Sequence, residues 1–275
     1  MSVDLKRTRK SARRVARFLD ENPKTPSSED IHKLRSSARH LESTFTALGL
    51  GSLPKLGKIR KSAGRVRDLD VLTASALTVE LGEEQECLVR LVEHLGARRS
   101  KSAKKLRRLV RKTRPGFRRS VKRSVRKAKK RVARSSDSGA ETTAAARAIR
   151  FSSELGRTGR LSKNNLHQYR IKLKELRDIL RLSGRADHSS LLKHLDEVKD
   201  AIGGWHDEVE LVAIAEEALD HGPSCKLMKH LRTITDSKYE HALSLTQGFA
   251  RRYLAPKPKK TAAPALEAAS AIAEP

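Results

Sequence analysis

The stretch IHKLRSSARHLESTF at residues 31–45 returns as LHQYRIKLKELRDIL at 166–180, displaced by 135 positions. His32 corresponds to His167, Arg35 to Arg170 and Arg39 to Lys174. The apolar register agrees as well: Ile31, Leu34, Leu41 and Phe45 stand against Leu166, Tyr169, Leu176 and Leu180. A second match follows in the same order. LGKIRKSAGRVRDLDVL (56–72) aligns with LDEVKDAIGGWHDEVEL (195–211) at an offset of 139, pairing Gly64 with Gly203, Arg67 with His206 and Asp68 with Asp207. Two matched segments at nearly one offset constrain the chain to two related halves.

The apolar spacing decides what each half folds into. Leu, Ile, Val and Ala recur at intervals of three and four, and no alternating Val/Ile/Thr run reads as a strand. Helices are expected over 4–20, 28–49, 53–81, 84–112, 117–135, 140–156, 162–183, 187–220 and 224–253. The breaks between them carry serine and aspartate caps in ENPKTPSSED and Pro54 in a first helical turn. RPG at 114–116, SSDSG at 135–139 and HGP at 221–223 mark further breaks. The expectation is an all-α protein of two pseudo-symmetric four-helix bundles from an internal duplication. The first would occupy 1–135, including a strongly basic helical region, and the second 140–254. The Pro/Ala/Lys-rich tail 255–275 reads as disordered.

At about 100° per residue, Leu166, Tyr169, Leu173, Leu176 and Leu180 share a core-facing arc. His167, Arg170, Lys174, Arg177 and Arg181 share the arc beside it, and Lys163 extends it one turn back. A solvated face normally mixes signs, whereas this one holds only donors. HxxRxxxR sets three donors in a line about 10 Å long, and the row from Lys163 to Arg181 extends about 27 Å at the helical rise. A linear polyanion suits such a row: Arg offers a planar fork, Lys a mobile point charge, and His extra charge beside bound phosphate. One such row is often just a solvated face, and a histidine beside an apolar stripe is usually a packing residue. Repetition favours binding. In the first half Glu42 and Thr46 stand where the second has Arg177 and Arg181, so its row should be shorter.

Charge points the same way. Lys and Arg outnumber Asp and Glu by 60 to 32, which calls for a polyanionic partner: nucleic acid, an anionic membrane surface or a phosphate polymer. Aromatics at 3% weaken base stacking as a mode of recognition. Ala97–Arg134 holds twenty Lys/Arg and no acid, with Phe117, Val121, Val125, Ala128 and Val132 keeping a helical stripe. This region either extends the polyanion surface or binds DNA, RNA or an acidic membrane nonspecifically. Within it Arg98, Arg99, Lys101 and Lys105 are placed nearest the bundle face. Cys87 and Cys225, far apart and in no CxxC pattern, read as small core residues of a reducing compartment. No signal-peptide run or membrane span of about 18 apolar residues is seen, so a soluble, cytoplasmic protein is expected.

HxxRxxxR/K on one helix with G-x-x-R/H-D on the next, occurring twice, resembles the CHAD family, the conserved histidine α-helical domain, over about residues 5–253. The resemblance implies two helical bundles whose basic surfaces meet in a channel or groove that binds inorganic polyphosphate. It implies that His32, Arg35, Arg39, His167, Arg170 and Lys174 line that surface, with Arg67 joining them. It also permits association with polyphosphate granules. Many relatives carry a triphosphate-tunnel domain with an ExExK signature, which is not found here, so that domain's catalysis is not carried over. The expectation is noncatalytic polyphosphate binding with no cofactor and no metal.

Two alternatives stay open. One is a basic protein that binds nucleic acid nonspecifically through 97–134. The other is an HD-type metal-dependent phosphohydrolase using His206–Asp207, His167 and a later aspartate. Against the latter, the first repeat has Arg67–Asp68, and arginine is no metal ligand. Asp68 and Asp207 are expected to orient Arg67, His206 or a neighbouring donor, or to bond backbone at a glycine-containing turn. Trp205, aligned with Val66, is expected in the core. P-loop, GxSxG, HExxH and paired-cysteine zinc patterns are missing.

Overall fold

The structure is a computed structural model that describes residues 5–51, 53–79, 85–134, 149–183, 189–220 and 225–254, and every regular element among them is helical. The helices are α1 (Leu5–Glu21), α2 (Ser28–Ala47), α3 (Pro54–Ala76), α4 (Glu86–Arg134), α5 (Leu166–Ser183), α6 (Ser189–Ala218) and α7 (Lys226–Phe249). A π-helical turn, Ala250–Leu254, continues α7, and a short helical stretch at 149–156 precedes α5. The expected linker at 135–139, the turn at 221–223 and the tail at 255–275 lie outside the described residues.

Local chemistry sets most helix ends. Ser27 Oγ accepts the Asp30 N–H at 3.1 Å while the Asp30 carboxylate accepts the Ser27 N–H at 3.2 Å, a capping box that starts α2. At its other end Leu50 N–H bonds Phe45 O and Gly49 N–H bonds Thr46 O, with Gly49 at φ 64°. Pro54 occupies the first turn of α3, as expected. RPG breaks the helical run at 114–116, as expected. Pro115 (ψ 123°) and Gly116 (φ 77°) are non-helical, so α4 is two helical segments meeting at a sharp kink, whose left-handed backbone glycine accepts without strain.

α5 begins at Leu166 rather than near 162. The Asn165 side chain accepts the Ser162 N–H at 2.8 Å and donates to Arg160 O at 3.0 Å, holding 162–165 as a turn. Lys163 therefore precedes the helix instead of extending its stripe.

The core falls into three apolar clusters. Val15, Leu34, Phe45, Ile59, Leu106 and Val121 represent the first, drawn from α1 to α4. Leu155, Leu173, Leu195, Ile202, Trp205 and Phe249 represent another, drawn from the 149–156 stretch, α5, α6 and α7. The predicted stripe residues Ile31, Leu41, Leu166, Tyr169, Leu176 and Leu180 are all buried, as is Trp205. Each fully buried leucine or isoleucine of this kind contributes roughly 1.5–3 kcal/mol relative to exposure.

The middle cluster joins the halves. Leu72 and Ala76 of α3 and Leu91 and Leu95 of α4 meet Leu211 and Ala215 of α6 and Leu227 and Leu231 of α7. Polar ties cross the same joint. Glu208, only 2% exposed, accepts hydrogen bonds from Ser75 of α3 and Lys238 of α7, and Arg98 of α4 pairs with Glu217 of α6 at 2.9 Å. Both donors reach the same oxygen, Oε1, and a buried carboxylate is tolerated when a cation and a hydroxyl meet it in this way. The two cysteines, remote in sequence, also meet in this cluster. Among the described residues, no helix is long and apolar enough to cross a membrane.

Candidate functional site

α2 and α5 each carry a basic triplet at i, i+3 and i+7 beside a buried stripe. On α5, His167, Arg170 and Lys174 are partly buried, whereas on α2 His32 and Arg39 are exposed and Arg35 partly buried. The next helix explains the depth of the second triplet. A Cβ placed on Gly203, in the middle of α6, would lie 2.6 Å from Arg170 Nη2 and 3.1 Å from its Nε. The guanidinium thus rests against bare backbone, and its Nε donates to Lys199 O at 3.1 Å. Gly64 stands under Arg35 in the same way, more loosely, with its Cβ position 3.5 Å from Arg35 Nε. The repeated glycine is therefore no turn residue. It is a seat for the arginine of the preceding helix.

The two triplets share one electric field. Lys174 is pushed down to about 8, first by burial and then by Arg170, Arg39, Arg35 and Lys199. Partial desolvation lowers the half-buried Arg170 and also Arg39, whose outer part stays exposed, and Arg35 adds to the depression of both. Cations from both halves are therefore close enough to oppose one another's charge. Two aspartates offset part of this. Asp68 Oδ1 lies 4.0 Å from Arg35 Nη2. Burial raises Asp68 and Asp207, opposed chiefly by Arg35 for the first and Arg170 for the second. Each faces the arginine of its own repeat, while Arg67 turns instead to Ser28 Oγ at 2.8 Å.

The histidines differ between repeats. His167 and His206 lie ring to ring at 4.4 Å between centroids, tilted by 35°. Burial, then His206, Arg170 and Lys174, depress His167 below its ordinary value, which leaves it neutral at pH 7. His206, Asp207 and Glu210 also bring their ligand atoms within 4.8 Å of one another.

Other predicted residues are held elsewhere. Arg177, 15% exposed, has its Nε 3.0 Å from Asp196 Oδ1, and Lys199 joins the same carboxylate at 2.7 Å. The first half reverses the charges, with Glu42 of α2 paired to Arg60 of α3. Lys163 pairs with Asp236 at 2.8 Å and lies over Tyr239. Arg99 binds Asp70 at 2.5 Å and Pro26 O at 2.9 Å, clamping α4 to α3 and the approach to α2. Lys101 and Lys105 are exposed on a groove of about 780 Å³ that also reaches Asp68, His94 and Glu210. Arg181 lies on α5, but its side chain is outside the described residues.

Sequence reasoning passed over α1. Seven of the residues from Lys6 to Arg17 are Lys or Arg, a density that was there to be read. Lys6, Lys10, Arg13, Arg14 and Arg17 line a groove of about 820 Å³ against Ser36, Ser37 and His40 of α2, and its lining contains no carboxylate. None of these five forms an ion pair among the described residues, unlike Arg35, Arg98, Arg99, Lys163 and Arg177.

No curated protein and no solved structure matches the chain. A family model described as CHAD domain matches residues 7–216, so the match ends before α7, short of the expected 253. That span takes in both basic triplets, both glycine seats and most of the chain, and the protein belongs to the CHAD domain family.

Proposed function

We propose that this protein binds inorganic polyphosphate, without catalysis, at one basic cluster built by Arg35 and Arg39 from one half and Arg170, Lys174 and His167 from the other. The carrying observation is the crowding of cations from both halves around Lys174, which burial and then Arg170, Arg39 and Arg35 push down to about 8. Packing like charges at the edge of a core is a cost to the free protein, and a polyanion laid across them removes it. Phosphate oxygens also match the guanidinium forks that Gly64 and Gly203 hold in place. Lys6, Lys10, Arg13, Arg14 and Arg17 of the α1 groove would extend the contact, since no carboxylate lines that groove. The same reading takes the chain as two pseudo-symmetric four-helix bundles, 1–135 and 140–254, sharing the middle cluster. The apolar clusters on either side of that joint and the twofold arginine–glycine seat support it. Association with polyphosphate granules rests on the family, and a cytoplasmic location on the sequence expectation.

The pH dependence tests this proposal. Bound phosphate should return Lys174 from about 8 toward its ordinary 10.5, so binding takes up a proton between those values. Affinity must then fall as pH rises through that window, by on the order of a hundredfold if the shift is fully reversed. The stability of the free protein should respond oppositely to this group, because a depressed lysine pKa disfavours folding most below 8. Titration with long-chain polyphosphate at fixed ionic strength should show the decline, and Lys174→Arg should flatten it. A pH-independent affinity in the parent protein would overturn the assignment of Lys174.

One observation favours a second reading. His206, Asp207 and Glu210 have the residue types of a cation site, as a metal-dependent phosphohydrolase requires. Orthophosphate release from polyphosphate with Mg²⁺ or Mn²⁺ present, abolished by Asp207→Asn, would establish it.

A further inference from the structure

Cys87, near the start of α4, and Cys225, immediately before α7, are 138 positions apart. That separation falls between the repeat offsets of 135 and 139, so the two cysteines occupy corresponding places in the two halves. They meet in the apolar cluster that joins those halves: the Cys225 thiol donates to Cys87 Sγ at 3.7 Å. Cys225 is 7% exposed, while Cys87 is open enough for a small reagent to reach. Bonded sulfurs lie about 2.05 Å apart, so side-chain rotation with a small approach of the two helix starts would close the gap.

We propose that Cys87 and Cys225 form an oxidative modification site, at which a hydroperoxide converts the two thiols into a disulfide that ties α4 to α7. In the first step the Cys87 thiolate attacks the terminal peroxide oxygen, the O–O bond breaks, and Cys87 becomes a sulfenic acid as water or an alcohol leaves. The Cys225 sulfur then attacks the sulfenic sulfur, and the S–O bond breaks with release of water. Two thiols lose two electrons and two protons in total, and the peroxide is reduced by the same two electrons. Burial, then Cys225 and Glu86, hold the Cys87 thiol above its ordinary value, with Arg90 opposing them. Oxidation is therefore slow at neutral pH and quickens as pH rises, because the thiolate is the nucleophile. The inference is independent of polyphosphate binding.

The consequence is mechanical. The bridge closes a loop of about half the chain and pins one half to the other beside the shared core. Such a loop restricts the unfolded chain strongly, and a rise in thermal midpoint on the order of 10 °C is expected. The test treats the full-length native protein with hydrogen peroxide at mildly alkaline pH. Expected are the loss of both titratable thiols, a monomer lighter by two hydrogens, and a raised midpoint that dithiothreitol reverses. Cys87→Ser and Cys225→Ser should each abolish the midpoint shift. Persistence of both thiols, over-oxidation of Cys87 without a bridge, or cross-linking only between molecules would each overturn the proposal.

Discussion

Replacing Arg170 and Lys174 together by alanine is expected to weaken polyphosphate binding by about a hundredfold or more, with the thermal midpoint moving only a few degrees. Hydrogen bonds to charged groups are worth about 1.5–3 kcal/mol each, so losing two costs at least ~3 kcal/mol of binding. That is roughly two decades in affinity. The small effect on folding follows from opposing terms. Arg170 gives up its bond to Lys199 O and its attraction to Asp207. Lys174 gives up a charge that burial and four neighbouring cations oppose, which favours the folded state. Polyphosphate titration beside a thermal melt separates the two outcomes. Unchanged affinity in a folded variant would remove these residues from the site.

The glycine seats should show a second, sharper asymmetry. Gly203→Ala puts a methyl group 2.6 Å from Arg170 Nη2, inside contact distance, so the guanidinium must leave its place on α6. Because the far end of a flexible side chain does the moving, the protein should stay folded. Its polyphosphate affinity should drop by about tenfold, the value of one displaced charged contact. Gly64→Ala meets Arg35 Nε at 3.5 Å, an ordinary contact, and replaces a mid-helix glycine. Stabilisation by up to about 1 kcal/mol with little change in affinity is expected there. Equal effects of the two substitutions would mean that the seats do not position the arginines for binding.

What was legible in the sequence was local. The capping box at Ser27 and Asp30, the Pro54 start and the buried stripes of α2 and α5 each follow from residues within a few turns of one another. Partners on other helices were not legible. Arg177 shares an arc with Arg170 and Lys174, yet Asp196 on α6 draws it into an ion pair, and periodicity on α5 carries no information about α6. Lys163 left the row because Asn165 and Ser162 bond each other locally and delay the helix. The glycine was visible as a repeat, but its use appears only when α5 and α6 are packed together. The same is true of Cys87 and Cys225, which looked unrelated until the two halves met.

The central claim is that a shaped site, rather than bulk charge, selects the ligand. With a net charge of +28, any polyanion will be attracted to some degree. Competition between long-chain polyphosphate and duplex DNA for the full-length protein tests this most directly, at about 150 mM salt with phosphate concentrations matched. The account predicts that polyphosphate displaces DNA with an advantage well over tenfold, and that this advantage shrinks in the Arg170→Ala, Lys174→Ala variant. Equal competition by the two polymers would contradict it, and would assign the binding to the basic stretch at 97–134 acting on any phosphate backbone.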